Sequence, residues 1–392
     1  MDEANRKQTI RIILITVCVT VAAAVLLVWA AAEIGGLRLV NGKTYERNEK
    51  IAVKYGKLYD IQTKIEDEGL WDVSESKQMN AVYKGLVGSL NDKYSEYYTP
   101  SEAKEWDNYV NATFYGIGVI FTQDEKNRFL ISDVIDQSPA DNAGLKKGDI
   151  ITQVNGKTYK TSDKLKDAIR GELGTKVNVT YERNGVSKTV TITRGKVTET
   201  TVSGTILKDH MAYIRISSFA EKTAEEFQHE LSTLEKKDPK GLIIDLRENP
   251  GGYADQALKI ADQLLPECTI TYLQDRKGKK TYYNSKESAT KLKYVLLVDG
   301  GSASSSEIVA AAVKDNKGGK LVGTRTFGKG IVQQEYQFND GSELKLTTHQ
   351  YFSPKGHRIN KVGIKPDYTV KFDISGDHDA QLEKAMQLLE AD

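Results

Sequence analysis

The chain runs YVLLVDGGSASSSE from residue 294 to residue 307, and this stretch predicts a strand, a tight turn and the start of a helix. The apolar run Tyr294–Val298 is typical of a buried strand, and the pair Gly300 and Gly301 breaks it. The alanine-rich residues 304–315 then favour a helix. A strand, turn and helix of this kind is the building unit of an α/β core.

Ser304 stands at the predicted start of that helix, where unpaired backbone amides and the positive end of the helix dipole collect. The amide of Ser305 could therefore bind the oxyanion that forms when the Ser304 hydroxyl attacks a carbonyl carbon. The same residues also fit a capping box, because Glu307 follows Ser304 at the third position. The segment alone leaves two alternatives, a nucleophile and a helix cap.

A second glycine-rich segment, TFGKGIVQ at residues 326–333, places Lys329 between two glycines and beside apolar side chains. A lysine accepts a proton only as a free amine, so its pKa must fall from about 10.4, and exclusion of water has that effect. Gln333 supplies a neutral amide that can orient the amine without raising its pKa. Together, Ser304 and Lys329 indicate a Ser/Lys hydrolase.

Residues 323–329 also match the first seven positions of a nucleotide-binding P-loop. The eighth position is Gly330, where that motif needs a Ser or Thr for magnesium. The segment 330–338 is rich in Val, Gln and aromatic residues and does not predict the helix that would cradle a phosphate. The sequence therefore argues against ATP binding.

Residues 242–265 repeat the first pattern, with an apolar strand at 242–246, the turn Asn249-Pro250-Gly251-Gly252 and an amphipathic helix at 253–265. An ordinary turn between a strand and a helix explains this segment equally well. By itself the segment does not decide between such a turn and a functional one.

These segments resemble the signature of the C-terminal processing peptidase family, also called tail-specific proteases. In that family the lysine follows the nucleophile by 25 positions and a glutamine follows four positions later, and both spacings hold here. The resemblance implies that Ser304 is the nucleophile, Lys329 the general base and Gln333 its orienting residue. Further family-like segments occur at residues 245–252, 340–348 and 363–367.

The resemblance also implies that the amide of Gly251 or Gly252 joins that of Ser305 in the oxyanion hole, within a crotonase-like mixed α/β core at residues 197–372. Among the places where this chain departs from the family pattern are residues 305 and 299. Ser305 stands where alanine is frequent, and Asp299 stands where Asn is expected. A carboxylate at 299 would oppose catalysis if it lay close enough to raise the pKa of Lys329.

Residues 113–196 resemble a PDZ domain, with the sequence YGIGV at 115–119 and GDIITQVNG at 148–156. The resemblance assigns peptide binding to five consecutive residues: Tyr115, Gly116, Ile117, Gly118 and Val119. Their two glycines let successive amides turn toward a terminal carboxylate, and the following strand can accept a peptide by β-augmentation. Such a module either delivers the C-terminus of a substrate or relieves inhibition, and the sequence leaves both open.

Residues 12–32 carry no charge and follow Arg6, Lys7 and Arg11, a pattern that predicts one transmembrane helix. The tail 1–11 would then lie in the cytoplasm and the catalytic region outside it, anchored to the cell membrane. The alternative is a signal peptide cleaved near residues 30–32, which are alanines, giving a secreted protein. The length of the apolar run favours the anchor.

The chain has 55 basic and 54 acidic side chains, a balance that gives no reason to expect a nucleic-acid partner. None of its five histidines lies in a metal-binding motif, so the sequence predicts neither a metal nor another cofactor. Spacing does not exclude a Ser-His-Asp triad, although the Gly-x-Ser-x-Gly elbow is absent.

Residues 33–112 predict helices, with apolar residues at helical spacing that we expect to be core. These are Val53, Leu58, Ile61, Met79, Val82, Leu86 and Leu90. Another helix is predicted within residues 373–392, at 379–390. By analogy with the family, the terminal helices would form a homodimer or a higher homo-oligomer.

The sequence thus predicts an exported, membrane-anchored serine endopeptidase with an inserted PDZ domain. Its substrates would be proteins or peptides with accessible C-termini. A non-catalytic PDZ scaffold is the alternative, and it requires Ser304 to be only a helix cap. A nucleotide-binding protein would require the P-loop match to be real.

Overall fold

The computed structural model describes residues 3–35, 41–124, 127–135, 137–286, 289–371 and 378–391. The chain divides into two compact units, Met1–Val82 and Tyr83–Asp392, and each is considered by itself.

The first unit is helical. Helix α1 spans Glu3–Gly35, α2 spans Gly42–Glu68, and α3, at Glu75–Gly88, begins in this unit. Within α1, the segment Asn5–Ile34 is long and apolar enough to cross a membrane, and an 18-residue window within it has a mean hydropathy of 2.9. A signal sequence meets the same criteria, so both predictions for the N-terminus stay open.

The prediction that the apolar residues of α2 and α3 are core is wrong for several of them. Val53 is 83% exposed, Leu86 is 68% exposed, and neither helix has a buried residue. An apolar stripe becomes core only when another element packs against it, and helical spacing does not specify that partner.

The second unit begins with the short strand β1 (Glu96–Tyr98) and helix α4 (Pro100–Val110). The strand departs from the helical prediction for this region. Thr99 and Glu102 form a capping box that starts α4.

An antiparallel β domain follows α4. Its elements are β2 (Thr113–Gly116), β3 (Val119–Gln123), β4 (Phe129–Val134), α5 (Pro139–Asn142), β5 (Ile150–Val154), α6 (Ser162–Ile169), β6 (Lys176–Arg183), β7 (Val186–Thr193) and β8 (Gly195–Thr198). Strands β3 to β7 form one sheet in chain order, while β2 and β8 pair with each other where the chain enters and leaves. Ile117, Ile131 and Ile151 lie in its separate apolar core.

The rest of the chain is an α/β core. Its elements are β9 (Val202–Ile206), β10 (Ala212–Ile216), α7 (Thr223–Glu235), β11 (Leu242–Asp245), α8 (Ala254–Leu264), β12 (Thr269–Asp275), β13 (Lys280–Asn284), β14 (Tyr294–Val298), α9 (Ser305–Asn316), β15 (Lys320–Gly323), β16 (Ile331–Gln337), β17 (Glu343–Phe352), β18 (Tyr368–Thr369) and α10 (Ala380–Glu390). One sheet has the order β18-β15-β14-β11-β10-β9, and all its neighbours are parallel except β9 and β10.

Side chains alternate across this parallel sheet. Leu242 and Ile244 belong to the main core, which also contains side chains of α7, α8 and α9, whereas Ile243 belongs to a smaller cluster with Ala385 of α10. Helices therefore cover both faces, and the strand ends between them remain available for a site.

A second, antiparallel sheet has the order β1-β17-β12-β13, and β16 also pairs with β17. The predicted strands and helices at 242–246, 253–265, 294–298, 304–315 and 379–390 are confirmed, with ends that differ by one residue at most. The prediction that no helix follows the P-loop match is also confirmed, because residues 331–337 form β16.

Candidate active site

Ser304 lies in the turn between β14 and α9, in a backbone conformation that few residues other than glycine adopt. Its φ is 54° and its ψ is −113°. The turn is held against the one that follows β11, because the amide of Ala303 and the hydroxyl of Ser306 both donate to the carbonyl of Asn249, at 2.9 and 3.0 Å. The strain at Ser304 is therefore maintained by its surroundings.

The two glycines of the second turn pack too closely for any side chain. A Cβ atom on Gly251, whose φ is +100°, would lie 2.7 Å from the Cβ of Ser304. A Cβ atom on Gly252, whose φ is +144°, would lie 2.3 Å from the carbonyl oxygen of Phe219. Glycine is required at both positions, and at 251 the reason is direct contact with Ser304.

Hydrogen bonds distinguish the amides of these glycines. The Gly251 amide donates to the side-chain oxygen of Asn249 at 2.9 Å, and the Gly251 carbonyl accepts from the Phe219 amide at 2.9 Å. Because N–H and C=O point in opposite directions across a trans peptide, the Gly252 amide is directed away from Phe219. The Ser305 hydroxyl donates to the Gly252 carbonyl at 2.8 Å, and the Ser305 amide belongs to the first turn of α9.

The side chain of Glu307 joins the Ser304 turn to the Lys329 loop. One carboxylate oxygen, Oε2, accepts from the amides of Ser304 at 3.0 Å and Lys329 at 2.8 Å. The other, Oε1, accepts from the Thr326 hydroxyl at 2.6 Å and the Gly328 amide at 2.8 Å. Burial raises the pKa of this carboxyl, although these four hydrogen bonds oppose the shift.

The fully buried hydroxyl of Tyr351 provides a second link. It donates to the carbonyl of Ser304 at 2.9 Å and also contacts the carbonyl of Lys329. Burial raises its pKa well above the ordinary tyrosine value, so it remains a neutral donor. Residues 304 and 329 are thus held together at both their amides and their carbonyls.

The amine of Lys329 lies in a partly desolvated position, 4.8 Å from the centroid of the Tyr94 ring. Its pKa is lowered, first by burial and then by the neighbouring ammonium of Lys345. Asp92 and Glu307 oppose that shift. The prediction that the surroundings depress the pKa of this lysine is confirmed.

Gln333 lies in β16, and its side-chain nitrogen donates to the Thr347 hydroxyl at 3.0 Å. The Thr347 amide donates to the Ser95 hydroxyl at 2.9 Å, which in turn donates to Asp92 at 2.7 Å. The amide group of Gln333 is thereby positioned by β17, which the segment before β1 holds in turn.

Asp299 is bound by the backbone of the two turns. Its Oδ1 accepts from the backbone amides of Glu248, Gly301 and Ser302, at 2.9, 2.9 and 3.1 Å, and it is not among the charges with the largest effect on the pKa of Lys329. This carboxylate is therefore a structural part of the two turns.

A cavity of about 520 Å³ brings together five of the six residues predicted for catalysis and for the oxyanion hole. Ser304, Lys329, Gln333, Gly251 and Gly252 all line it. Its walls also contain residues that the sequence did not single out: Tyr94, Trp106, Tyr109, Tyr253, Glu335 and Lys345.

The predicted peptide-binding residues belong to the β domain, and none of the five lines this cavity. Ile117 is fully buried, and its carbonyl accepts from the Ala140 amide at 2.7 Å. Gly118 has a φ of +83°, and a Cβ there would lie 2.3 Å from the Cβ of Ser138. Residues 115–119 thus run from the end of β2 through a tight turn at Ile117 and Gly118 into the start of β3.

Among the described residues, no group of three or more His, Cys, Asp and Glu side chains is arranged to hold a metal ion.

Comparison with known proteins adds to this geometry. The model of peptidase family S41 matches residues 210–370, and the PDZ domain model matches residues 116–193. The carboxy-terminal processing protease CtpA of Bacillus subtilis is 36% identical over 318 residues, which are 80% of this chain and 68% of that protein. A probable CtpA-like serine protease of Staphylococcus haemolyticus is 35% identical over 346 residues, 86% of this chain and 68% of that protein.

The chain belongs to the C-terminal processing peptidase family. Among solved structures, the photosystem II D1 C-terminal processing protease is 26% identical and superposes with a TM-score of 0.51, covering 85% of this chain and 91% of that one. The chain is a C-terminal processing serine protease with a PDZ domain and a mixed α/β fold. The predictions of family, fold class and enzyme class are confirmed.

Proposed function

We propose that Ser304 and Lys329 form the catalytic dyad of this protease, with Gln333 as the residue that orients Lys329. The observation that carries the proposal is the Glu307 carboxylate, one oxygen of which binds the amides of both residues. A buried link of this kind fixes the backbones of nucleophile and base before a substrate binds.

The reaction follows from these positions. The Ser304 hydroxyl attacks the substrate carbonyl carbon while the free amine of Lys329 takes its proton. The resulting ammonium then protonates the leaving amine, and the C–N bond breaks to give an ester on Ser304. Water, deprotonated by Lys329, attacks the ester and releases the new C-terminus.

For the oxyanion hole we infer the amides of Gly252 and Ser305. The Gly251 amide, which belongs to the same predicted set, is engaged by the side chain of Asn249. Gly251 contributes instead by packing against Ser304 without a side chain. Two amides held by surrounding hydrogen bonds need no rearrangement when charge develops on the substrate oxygen.

We further propose that residues 115–119 of the PDZ domain bind the C-termini of exported protein substrates, and that α1 anchors the enzyme with its N-terminus in the cytoplasm. Basic residues before the apolar segment support this orientation. Release after signal cleavage remains the alternative.

The domain boundaries that we propose are 1–11, 12–32, 33–112, 113–196, 197–372 and 373–392. The assembly that we propose is a homodimer or a higher homo-oligomer.

The test is cleavage of an unfolded protein by the full chain in detergent, beside Ser304→Ala and Lys329→Met. Each variant should lose activity at least about 10³-fold, because neither member of the dyad acts without the other. Circular dichroism should show that both variants are folded. Full activity in Lys329→Met would contradict the dyad. An inactive unaltered chain that still binds peptides would favour the PDZ scaffold.

A further inference from the structure

A second lysine, Lys345, lies in the wall of the cavity that contains Ser304 and Lys329. Strands β16 and β17 pair Gln333 with Thr347 and Glu335 with Lys345. Residues two apart on a strand share one face of the sheet, so Lys345 is on the same face as Gln333. The register of this hairpin therefore brings a second amine to the site.

The surroundings of Lys345 hold its Nζ in one place. The residue is only 8% exposed. Its Nζ lies 3.7 Å from the centroid of the Trp106 ring and 4.8 Å from that of Tyr98, whose hydroxyl it also contacts. The carboxylate of Glu96 is 3.7 Å away. Two aromatic faces and a carboxylate favour the charged amine at this point.

The carboxylates around Lys345 come from three strands: Glu96 from β1, Glu335 from β16 and Glu343 from β17. Burial lowers the pKa of Lys345, and the charge of Glu96 is the largest opposing influence, followed by that of Glu335. Glu335 is itself fixed, because it accepts a hydrogen bond from the indole of Trp106 at 2.6 Å.

The groups that face Lys329 are arranged differently. Asp92 and Glu307 favour its ammonium, as does the ring of Tyr94, while Lys345 and Lys93 disfavour it. Both oxygens of Glu307 already accept hydrogen bonds from other groups, and the nearby hydroxyl of Tyr351 is neutral. When two amines share a cavity, a carboxylate close to one of them favours the proton on that amine, and Lys345 has the carboxylate of Glu96 at 3.7 Å.

We propose that Lys345 is a positioning residue of the proteolytic reaction: its fixed ammonium disfavours a second ammonium at Lys329 and so leaves that amine free to accept the Ser304 proton. The inference rests on the proposed function of Ser304 and Lys329. It assigns a role to a side chain that need not touch the substrate.

The test is the variant Lys345→Met in the full chain in detergent, because methionine keeps the length of the side chain and packs well on Trp106. Without the fixed charge, the pKa of Lys329 rises, and the acid limb of kcat/KM moves to higher pH. We expect a shift of about 0.5–1 pH unit, which lowers kcat/KM about three- to tenfold on that limb and leaves the high-pH plateau in place. Lys345→Arg keeps the charge and should keep the limb near its original pH.

A second readout follows the nucleophile alone, through the rate at which a fluorophosphonate labels Ser304 at each pH. The Oγ–P bond forms as fluoride leaves, and Lys329 takes the hydroxyl proton, so the labelling rate should show the same shift. Lys345→Gln, which can still hydrogen-bond to Tyr98, replaces the methionine variant if that variant fails to fold. Lys93→Met is the matched control, because Lys93 also opposes the Lys329 ammonium but is exposed, and solvent should make its effect smaller.

Three outcomes would overturn the proposal. They are an acid limb that does not move in Lys345→Met, an equal loss of activity at every pH, and equal shifts in Lys345→Met and Lys93→Met. The proposed function fails separately: the unaltered chain would then label no faster than Ser304→Ala at any pH.

Discussion

At the scale of single residues, the tightest requirement in the site is the contact between Gly251 and Ser304. The space that a Cβ on Gly251 would occupy is already filled by the Cβ of Ser304, the carbonyl of Ala303 and the amide of Ser305, at 2.7, 2.8 and 3.0 Å. All three groups belong to the turn that carries the proposed nucleophile. Any side chain at 251 must therefore move that turn.

Gly251→Ala should lower kcat/KM at least about 100-fold, because a displacement of 1 Å at the nucleophile has an effect of that size. Gly300→Ala is the matched control in the neighbouring turn, since a Cβ on Gly300 would meet no atom within 4 Å. Peptidase assays on both variants, with circular dichroism to verify folding, test the claim. Equal activities in the two would show that the contact is unimportant.

The sequence identifies the proposed catalytic residues, whereas several residues that surround them become visible only in the structure. Ser304 and Lys329 could be singled out because each lies in a glycine-rich turn with a suitable neighbourhood. Glu307 was visible only as a possible helix cap, although its carboxylate also binds the Lys329 loop. Trp106 lies in α4, just after β1, and Lys345 lies in β17. The pairing of β17 with β1 and β16 brings their surroundings together, and no local sequence pattern specifies that pairing.

At the scale of elements, α10 is attached to the parallel sheet by a buried ion-pair network. Arg247 contacts the fully buried Asp245 at 2.6 Å and Asp379, the N-cap of α10, at 2.8 Å. Tyr213 donates to the same Asp245 at 2.7 Å, and burial together with that carboxylate raises the pKa of Tyr213 to about 12. One guanidinium thus joins the end of β11 to the start of α10.

Arg247→Met should destabilise the protein by about 3–5 kcal/mol, because it leaves the buried Asp245 without its main cation. Calorimetry should show a lower Tm, and hydrogen exchange should show faster opening of α10. Lys259→Met, which breaks an exposed pair with Asp255 at 3.1 Å, is the control and should change little. A normal Tm for Arg247→Met would mean that apolar contacts alone hold α10.

Elements with a strong apolar pattern and a glycine-rich boundary were predicted well, as β11, β14, α8 and α9 illustrate. The strand β1 was missed because it has three residues and depends on pairing with β17 for its existence. In α2 the helix itself was predicted, but its apolar residues are exposed. Apolar periodicity indicates a helix and does not show whether another element packs against it.

At the scale of the whole molecule, the PDZ domain is inserted through two adjacent strands. Thr113 of β2 is directly opposite Thr198 of β8, and their hydroxyls are 3.3 Å apart. Opposed residues in an antiparallel pair are about 5 Å apart, so a linker of two or three glycines can replace residues 114–197. The excision should leave the α/β core intact.

Added peptides with a free C-terminal carboxylate should change the rate of proteolysis by the full chain, whereas the same peptides with an amidated C-terminus should not. The excised chain should respond to neither. Comparing the rates of both proteins with each peptide tests the proposed role of residues 115–119. A response that persists after excision would mean that the peptide acts at the proteolytic site itself.

The backbone of Ser304 has a wider consequence. A serine held at a φ of 54° and a ψ of −113° makes the folded chain less stable than glycine would at the same position. Selection for stability alone would therefore tend to replace it over evolutionary time, since most sites drift toward residues that suit their conformation. Relatives that have lost activity should accumulate glycine there first, and a serine that persists records continued selection for catalysis.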